Sequence, residues 1–309
     1  MSDVTLLDGG MGQELIARSA NPAGALWSAE VMMREPHVVE AAHRAFVEAG
    51  ARVITLNSYA ATPERLARNG LESEFEALQE RAIALAQAAR DAARGERDVA
   101  IAACLSPLAG SYHPEKAPPA DEMRAIYRRI AALQAPHVDV MLGETLSGVT
   151  EIEAATEAMA EQADGRPVWT AISVSDEDGT RLRSGEALTE GVAAAVASGA
   201  TALLLNCSRP EAIERGLPAI EKTGLPWGAY ANGFVRAADL ELDGTVDDLG
   251  TREDLGPAAY ADIAMKWVER GATIVGGCCE IGPDHIRMLA ERLGAAGHGL
   301  VTPREGETT

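Results

Sequence analysis

The sequence predicts an α/β protein built as one (β/α)8 barrel. Eight short, near-continuous apolar runs recur along the chain, spaced by amphipathic stretches. Parallel strands buried on both faces read this way. Most of the runs also close on a polar or reactive residue, and in a barrel those closing positions gather at one mouth. A doubly wound open sheet is the competing architecture. It would place G-x-G-x-x-G after an early strand, and DGGMGQE lacks that spacing.

The runs are VTLLD (4–8), VITLN (53–57), VAIAACL (99–105), VDVMLGE (138–144), PVWTAISV (167–174), TALLLNC (201–207), PWGAYAN (226–232) and ATIVGG (272–277). A loop is expected after the first run. A helix is expected over 36–49, where PHVVEAAHRAFVEAG repeats apolar residues at three and four and stops on Gly50. Further helices are expected near 63–69, 72–94, 122–135, 149–163, 188–198, 210–222, 257–270 and 285–293, the last announced by Pro283 and Asp284. The 309 residues exceed the ~250 of a typical barrel, so the loops are long. The barrel is expected over 1–294, with 295–309 a polar, loosely ordered tail.

Composition narrows the function. Hydrophobic residues make up 47% and charged residues 24%, which excludes a wholly disordered chain; at 4% aromatic, the core must be aliphatic. The net charge of −20 argues against nucleic acid and anionic membrane as partners, since both need a basic surface. No apolar run reaches the ~20 residues of a membrane span, and MSDVTLLDGG is no signal peptide. The cytoplasm is the expected compartment. Four cysteines are too few for a disulfide framework and read as thiols or metal ligands. A homo-oligomer is compatible with the sequence.

The strand ends in order are Asp8, Asn57, Cys104, Glu144, Ser173, Cys207, Asn232 and the pair Cys278–Cys279. Three thiolates suit zinc, and three protein ligands leave a fourth position open, as catalytic zinc requires. There is no C-x2-C pair, so this is no zinc ribbon; GGCC supplies a tight turn from which neighbouring cysteines can reach one ion. From spacing alone, Cys207, Cys278 and Cys279 are equally a metal site or small buried hydrophobes. Cys104, inside the third run, reads as buried packing. His37, His43 and His137 sit in or beside helices and read as surface or packing residues. The acidic stretch 239–256 does not fit an EF-hand.

LLDGGMGQEL, LWSAEVMMREPHVVEAAHRAFVEAGARVITLNSYAATPERL, GETLSG, LLLNCSRPEAI and IVGGCCEIGPDHI resemble the homocysteine S-methyltransferase family, over about residues 4–292. NCS paired with GGCC is the specific part. The resemblance implies zinc on Cys207, Cys278 and Cys279, and methyl transfer to the sulfur of homocysteine, giving methionine. It implies that Asp8 and Glu144, in the DGG and GET motifs, hold the homocysteine amino group. The backbone N–H groups of Gly9 and Gly10 are expected to receive its carboxylate. Tyr59 is expected to face a methylated onium donor, with Trp27 and Tyr112 in covering loops; Asn206, Ser208 and Asn232 are candidate supporting donors. S-methylmethionine is the first candidate donor, ahead of S-adenosylmethionine, betaine and dimethylsulfoniopropionate. Two departures, CLSPLAGSYHPEKAPP and YANGF, lie at the mouth and bear on the donor site. A silent zinc- and homocysteine-binding barrel, or a different thiol or selenol acceptor, are the alternatives.

Overall fold

The computed structural model describes residues 3–21, 24–235, 240 and 249–303. Its strands are β1 (Thr5–Leu6), β2 (Val53–Thr55), β3 (Ala100–Ala102), β4 (Met141–Leu146), β5 (Val168–Ile172), β6 (Ala202–Asn206), β7 (Trp227–Tyr230) and β8 (Ile274–Val275). All strand pairing is parallel. The ladders run β1-β8-β7-β6-β5-β4 and β2-β3. Parallel bridges Leu7–Val53, Ala102–Val140 and Leu105–Gly143 join the two sets. The ring of eight is thereby closed in sequence order, the arrangement expected of a (β/α)8 barrel.

The helices are α1 (Met11–Arg18), α2 (Trp27–Arg34), α3 (Pro36–Ala49), α4 (Pro63–Arg68), α5 (Phe75–Ala92), α6 (Ala120–Gln134), α7 (Val149–Gln162), α8 (Leu188–Ala197), α9 (Pro210–Glu221), α10 (Pro257–Glu269) and α11 (Pro283–Ala295). Five of them, α3, α4, α9, α10 and α11, begin on proline, whose fixed φ and missing N–H suit a first helical position. Helix α3 buries Val38, Val39, Ala42, Phe46 and Val47 and ends at Gly50, where φ is +118°. No described helix is long and apolar enough to cross a membrane.

Successive strand residues alternate between two apolar layers. Leu7, Val53, Ala100, Ala102, Val140, Leu142, Ala202, Leu204 and Tyr230 pack together inside the ring. Ile54, Ile101, Met141, Leu203 and Leu205 join the larger layer beneath the helices. This alternation decides which residues at the strand ends face the mouth.

Two expectations change. Residues 11–18 and 27–34, expected as loop, are helices α1 and α2. Neither has a side-chain N-cap, and Gly12 stands near the start of α1, so the usual start signals are missing. What stabilises them is tertiary: Leu15, Ala29, Val31 and Met32 are buried in the core. The C-terminal segment is also less loose than expected. Val4 donates to the Gly299 carbonyl (2.9 Å), Val301 donates to the Val4 carbonyl (3.1 Å), and Leu300 packs on the core. Residues 239 and 241–248 of the acidic stretch lie outside the described residues.

His43, on α3, is fully buried, and among the described residues neither ring nitrogen has a partner. Burial lowers its pKa from 6.5 to about 4. A depressed histidine favours the neutral form in the fold, so its contribution is intact above about pH 6.5 and drains as pH falls towards 4. Between pH 7.5 and pH 5 the wild type should lose about 2 kcal/mol more stability than His43→Leu. Urea unfolding of both proteins at the two pH values checks this; parallel losses would refute it.

Candidate metal and substrate site

The C-terminal ends of the strands open into a cavity of ≈ 790 Å³, including its open mouth. Asp8, Gly9, Gly10, Tyr59, Glu144, Cys207, Cys278 and Cys279 all line it, as do Trp27, Asn57 and Tyr112. Asn206 does not. Among the described residues, no lysine, arginine or histidine side chain contributes to the lining.

The three thiols converge from two loops. Cys207 follows β6 and Cys278–Cys279 follow β8. Their sulfurs lie 2.8 Å (207–278), 3.7 Å (207–279) and 4.0 Å (278–279) apart. Sulfurs around a tetrahedral zinc, with Zn–S about 2.3 Å, stand about 3.8 Å apart. The observed separations bracket that value, and this is the one group of three potential ligands brought together among the described residues. A soft, all-thiol donor set fits zinc. Burial alone would raise the Cys207 thiol. Hydrogen bonds from Cys278, Cys279 and Tyr112, with the nearby charge of Arg183, instead hold it well below the ordinary thiol range.

The two carboxylates come from opposite sides of the ring. Asp8 accepts the Thr55 N–H at 2.8 Å and its hydroxyl at 3.2 Å. Burial raises Asp8 to about 8, with the Glu144 charge adding to the rise and Thr55 opposing it. Glu144 shares the inward face of β4 with Val140 and Leu142. It accepts from the Cys104 thiol at 3.1 Å and the Tyr230 hydroxyl at 3.4 Å. Burial raises it to about 7. A cation placed between such groups favours their ionised forms.

A model of the homocysteine S-methyltransferase family matches residues 5–293. The chain belongs to that family. As a member it is an enzyme of the methyltransferase class. A homocysteine S-methyltransferase from Escherichia coli is 32% identical, covering 94% of this chain and 95% of that one. A selenocysteine Se-methyltransferase from Brassica oleracea is 29% identical, covering 93% and 88%. The metallated crystal structure of the E. coli homocysteine methyltransferase MmuM superposes with a TM-score of 0.78 at 28% identity, covering 94% and 96%.

Several residues of this family member differ from the sequence expectation. Asn206 is fully buried: its carbonyl oxygen accepts the Thr145 N–H (3.0 Å) and its amide donates to the Thr145 hydroxyl (3.1 Å). It holds Thr145 at φ +63°, next to Glu144, rather than reaching into the cavity. The Gly10 N–H already donates to the Ile281 carbonyl at 2.8 Å, so it has no free donor for a carboxylate. The Tyr59 hydroxyl pairs with Ser111 (2.9 Å), and Arg65 lies 5.1 Å from its ring centre. Tyr112 likewise carries Arg183 at 4.3 Å. Cys104 is buried, as expected, but is also a donor to Glu144. Ser208 pins Val174, and Asn232 accepts from Phe234 (3.4 Å); neither lines the cavity. His37 and His137 are exposed.

Sequence reasoning missed Thr55 and Tyr230. Each lies two residues before a chosen strand end, so period-two counting along VITLN and PWGAYAN holds the signal.

Gly9 and Gly10 have a steric role. A Cβ on Gly9 would stand 2.0 Å from the Ile281 carbonyl oxygen, and one on Gly10 2.6 Å from that of Cys278. Gly9→Ala should therefore cost more than about 2 kcal/mol, by overpacking a site with no room to yield, and should weaken Cd2+ binding to the thiols. Thermal melts and Cd2+ titration check both; an unperturbed variant would show that the two turns can separate freely.

Proposed function

We propose that the protein transfers a methyl group from a small onium donor, S-methylmethionine first, to the thiol of L-homocysteine, giving L-methionine. The observation that carries this reading is one cavity holding three convergent thiols and two buried carboxyls, with no basic side chain among the described residues of its lining. Such a lining selects ligands whose reacting ends are cationic or zwitterionic. Its described residues offer no side-chain cation to a phosphorylated or polyanionic donor.

Asp8 and Glu144 hold the substrate ammonium, each through a charge-assisted hydrogen bond. Its carboxylate meets the Gly9 N–H and the positive end of α1, whose first turn, Met11 to Gln13, lines the cavity. Cys207, Cys278 and Cys279 would hold zinc, which when bound keeps an incoming thiol in its thiolate form. The substrate sulfur then forms a bond to the methyl carbon as the donor's carbon–sulfur bond breaks, and the donor leaves as a neutral thioether. Orienting the two reactants in line supplies much of the rate. Trp27 is the aromatic face that suits the donor cation. Among the described residues no guanidinium stacks on it, whereas Tyr59 and Tyr112 each already carry one. The chain acts on small molecules, and four free cysteines support a reducing, cytoplasmic setting.

Methionine formation from homocysteine, with each of the four donors supplied separately to zinc-loaded protein, tests the reading. One donor should give turnover, and Cys278→Ser should abolish it. Asp8→Asn and Glu144→Gln should each raise the homocysteine KM about tenfold or more, from loss of a charged hydrogen bond. Trp27→Leu should raise the donor KM and leave the homocysteine KM near the wild-type value. No product with any donor from a metal-loaded protein would overturn the homocysteine reading, and selenocysteine as acceptor would then be the next arm.

A further inference from the structure

Cys207 ought to point away from the site. Along β6 the inward residues are Ala202, Leu204 and Asn206, so position 207 falls on the face turned to the helices. Its backbone is left-handed instead, with φ +46°, a conformation that non-glycine residues adopt only when held. This turn swings its sulfur to within 2.8 Å of Cys278.

What holds it is visible. The Cys207 carbonyl accepts from Arg183 Nη2 at 3.1 Å and from the Ser173 hydroxyl at 3.3 Å. Arg183 is itself fixed on every side. Its Nε donates to Ser173 Oγ at 2.7 Å, and its two terminal nitrogens fork onto Asp176, each at 3.3 Å. The Arg183 and Asp176 side chains are only 5% and 2% exposed. Asp176 also accepts the Arg209 N–H at 3.0 Å, which ties the clamp to the start of α9. The guanidinium lies 4.3 Å from the ring centre of Tyr112, and the Tyr112 hydroxyl stands 3.0 Å from Cys207 Sγ. Arg183 therefore reaches Cys207 twice, at its carbonyl directly and at its sulfur through Tyr112.

We propose that Arg183 is a positioning residue of the thiol site: it holds Cys207 in its left-handed turn and so completes a three-thiol metal centre that β6 alone would leave with two. The inference rests on the metal-site reading given above. Only a planar, multi-donor cation can fork onto a carboxylate, reach a carbonyl and stack on a ring at once, so lysine cannot replace it.

Cd2+ alone is the probe, titrated into metal-free protein against a competing chelator and followed by thiolate charge-transfer absorption. Co2+ spectra report the coordination geometry. Arg183→Lys should bind Cd2+ ten- to a hundredfold more weakly, the usual effect of losing a partner that orients a ligand. Its Co2+ bands should shift, while its metal-free melting temperature stays within a few degrees of wild type. Tyr112→Phe, which keeps the stacked ring, should lose less. Should Arg183→Lys fail to fold, Asp176→Asn loosens the fork while leaving the guanidinium, and should lose affinity in the same direction. A folded Arg183→Lys with wild-type Cd2+ affinity and unchanged Co2+ bands overturns the inference alone. A wild-type protein that binds neither metal overturns the metal-site reading and this inference with it.

Discussion

The mouth of this barrel depends on how closely its first loop approaches its last. The turn after β1 and the turn after β8 touch backbone to backbone: the Gly10 N–H meets the Ile281 carbonyl at 2.8 Å, and the Gly277 N–H meets the Asp8 carbonyl at 2.9 Å. Glycine at positions 9 and 10 is what permits that distance, because a side chain on either would collide with the carbonyls of Ile281 or Cys278. The seam between the two ends of the chain thus becomes a shared wall. Asp8 stands on one side of it and the two adjacent cysteines on the other, and a substrate with an amino end and a sulfur end can reach both.

The same wall encloses an electrostatic problem. Asp8 and Glu144 are both pushed up by burial, to about 8 and about 7, and among the described residues no basic side chain in the lining relieves them. Buried charges are ordinarily paired or bound to a metal. Here the nearby guanidiniums are spent elsewhere, Arg65 behind Tyr59 and Arg183 behind Tyr112. The missing positive charge is left for ligands to bring, as an ammonium, an onium or a metal ion. Burial that costs the free protein stability becomes selectivity for cations when they arrive.

Much of this was legible in the sequence, and the rest failed for identifiable reasons. The eight apolar runs give the barrel, because strands sealed on both faces must be apolar throughout, and the polar residue closing a run marks the mouth. Asp8, Glu144 and the three cysteines follow from that rule together with the family resemblance. Helices α1 and α2 escaped it, since their stability comes from burying Leu15 and Met32 against distant elements rather than from caps. Asn206 was misread because strand-end position does not say whether an amide faces a ligand or a neighbouring backbone. Arg183 is invisible in the sequence: it lies in a loop, 24 residues before the cysteine it contacts, and only the folded ring brings the two together.

Asn206 and Cys207 show how finely position and direction are separated at this site. By strand alternation Asn206 faces the mouth and Cys207 does not. Asn206 nonetheless spends both ends of its amide on Thr145, holding the left-handed residue beside Glu144. Cys207, on the wrong face, is turned back by its own left-handed backbone to join the thiols. Two unfavourable backbone conformations, each of the order of 1–3 kcal/mol, thus flank the two ends of the site: one follows Glu144, which strand alternation already turns inward, and the other swings the Cys207 sulfur towards Cys278. Strain of this kind persists only where surrounding contacts over-determine it, and both residues are held by buried side chains fixed at several points. The alternation of a β-strand provides the barrel. The three-thiol cluster is completed where that alternation is broken and the break is held in place.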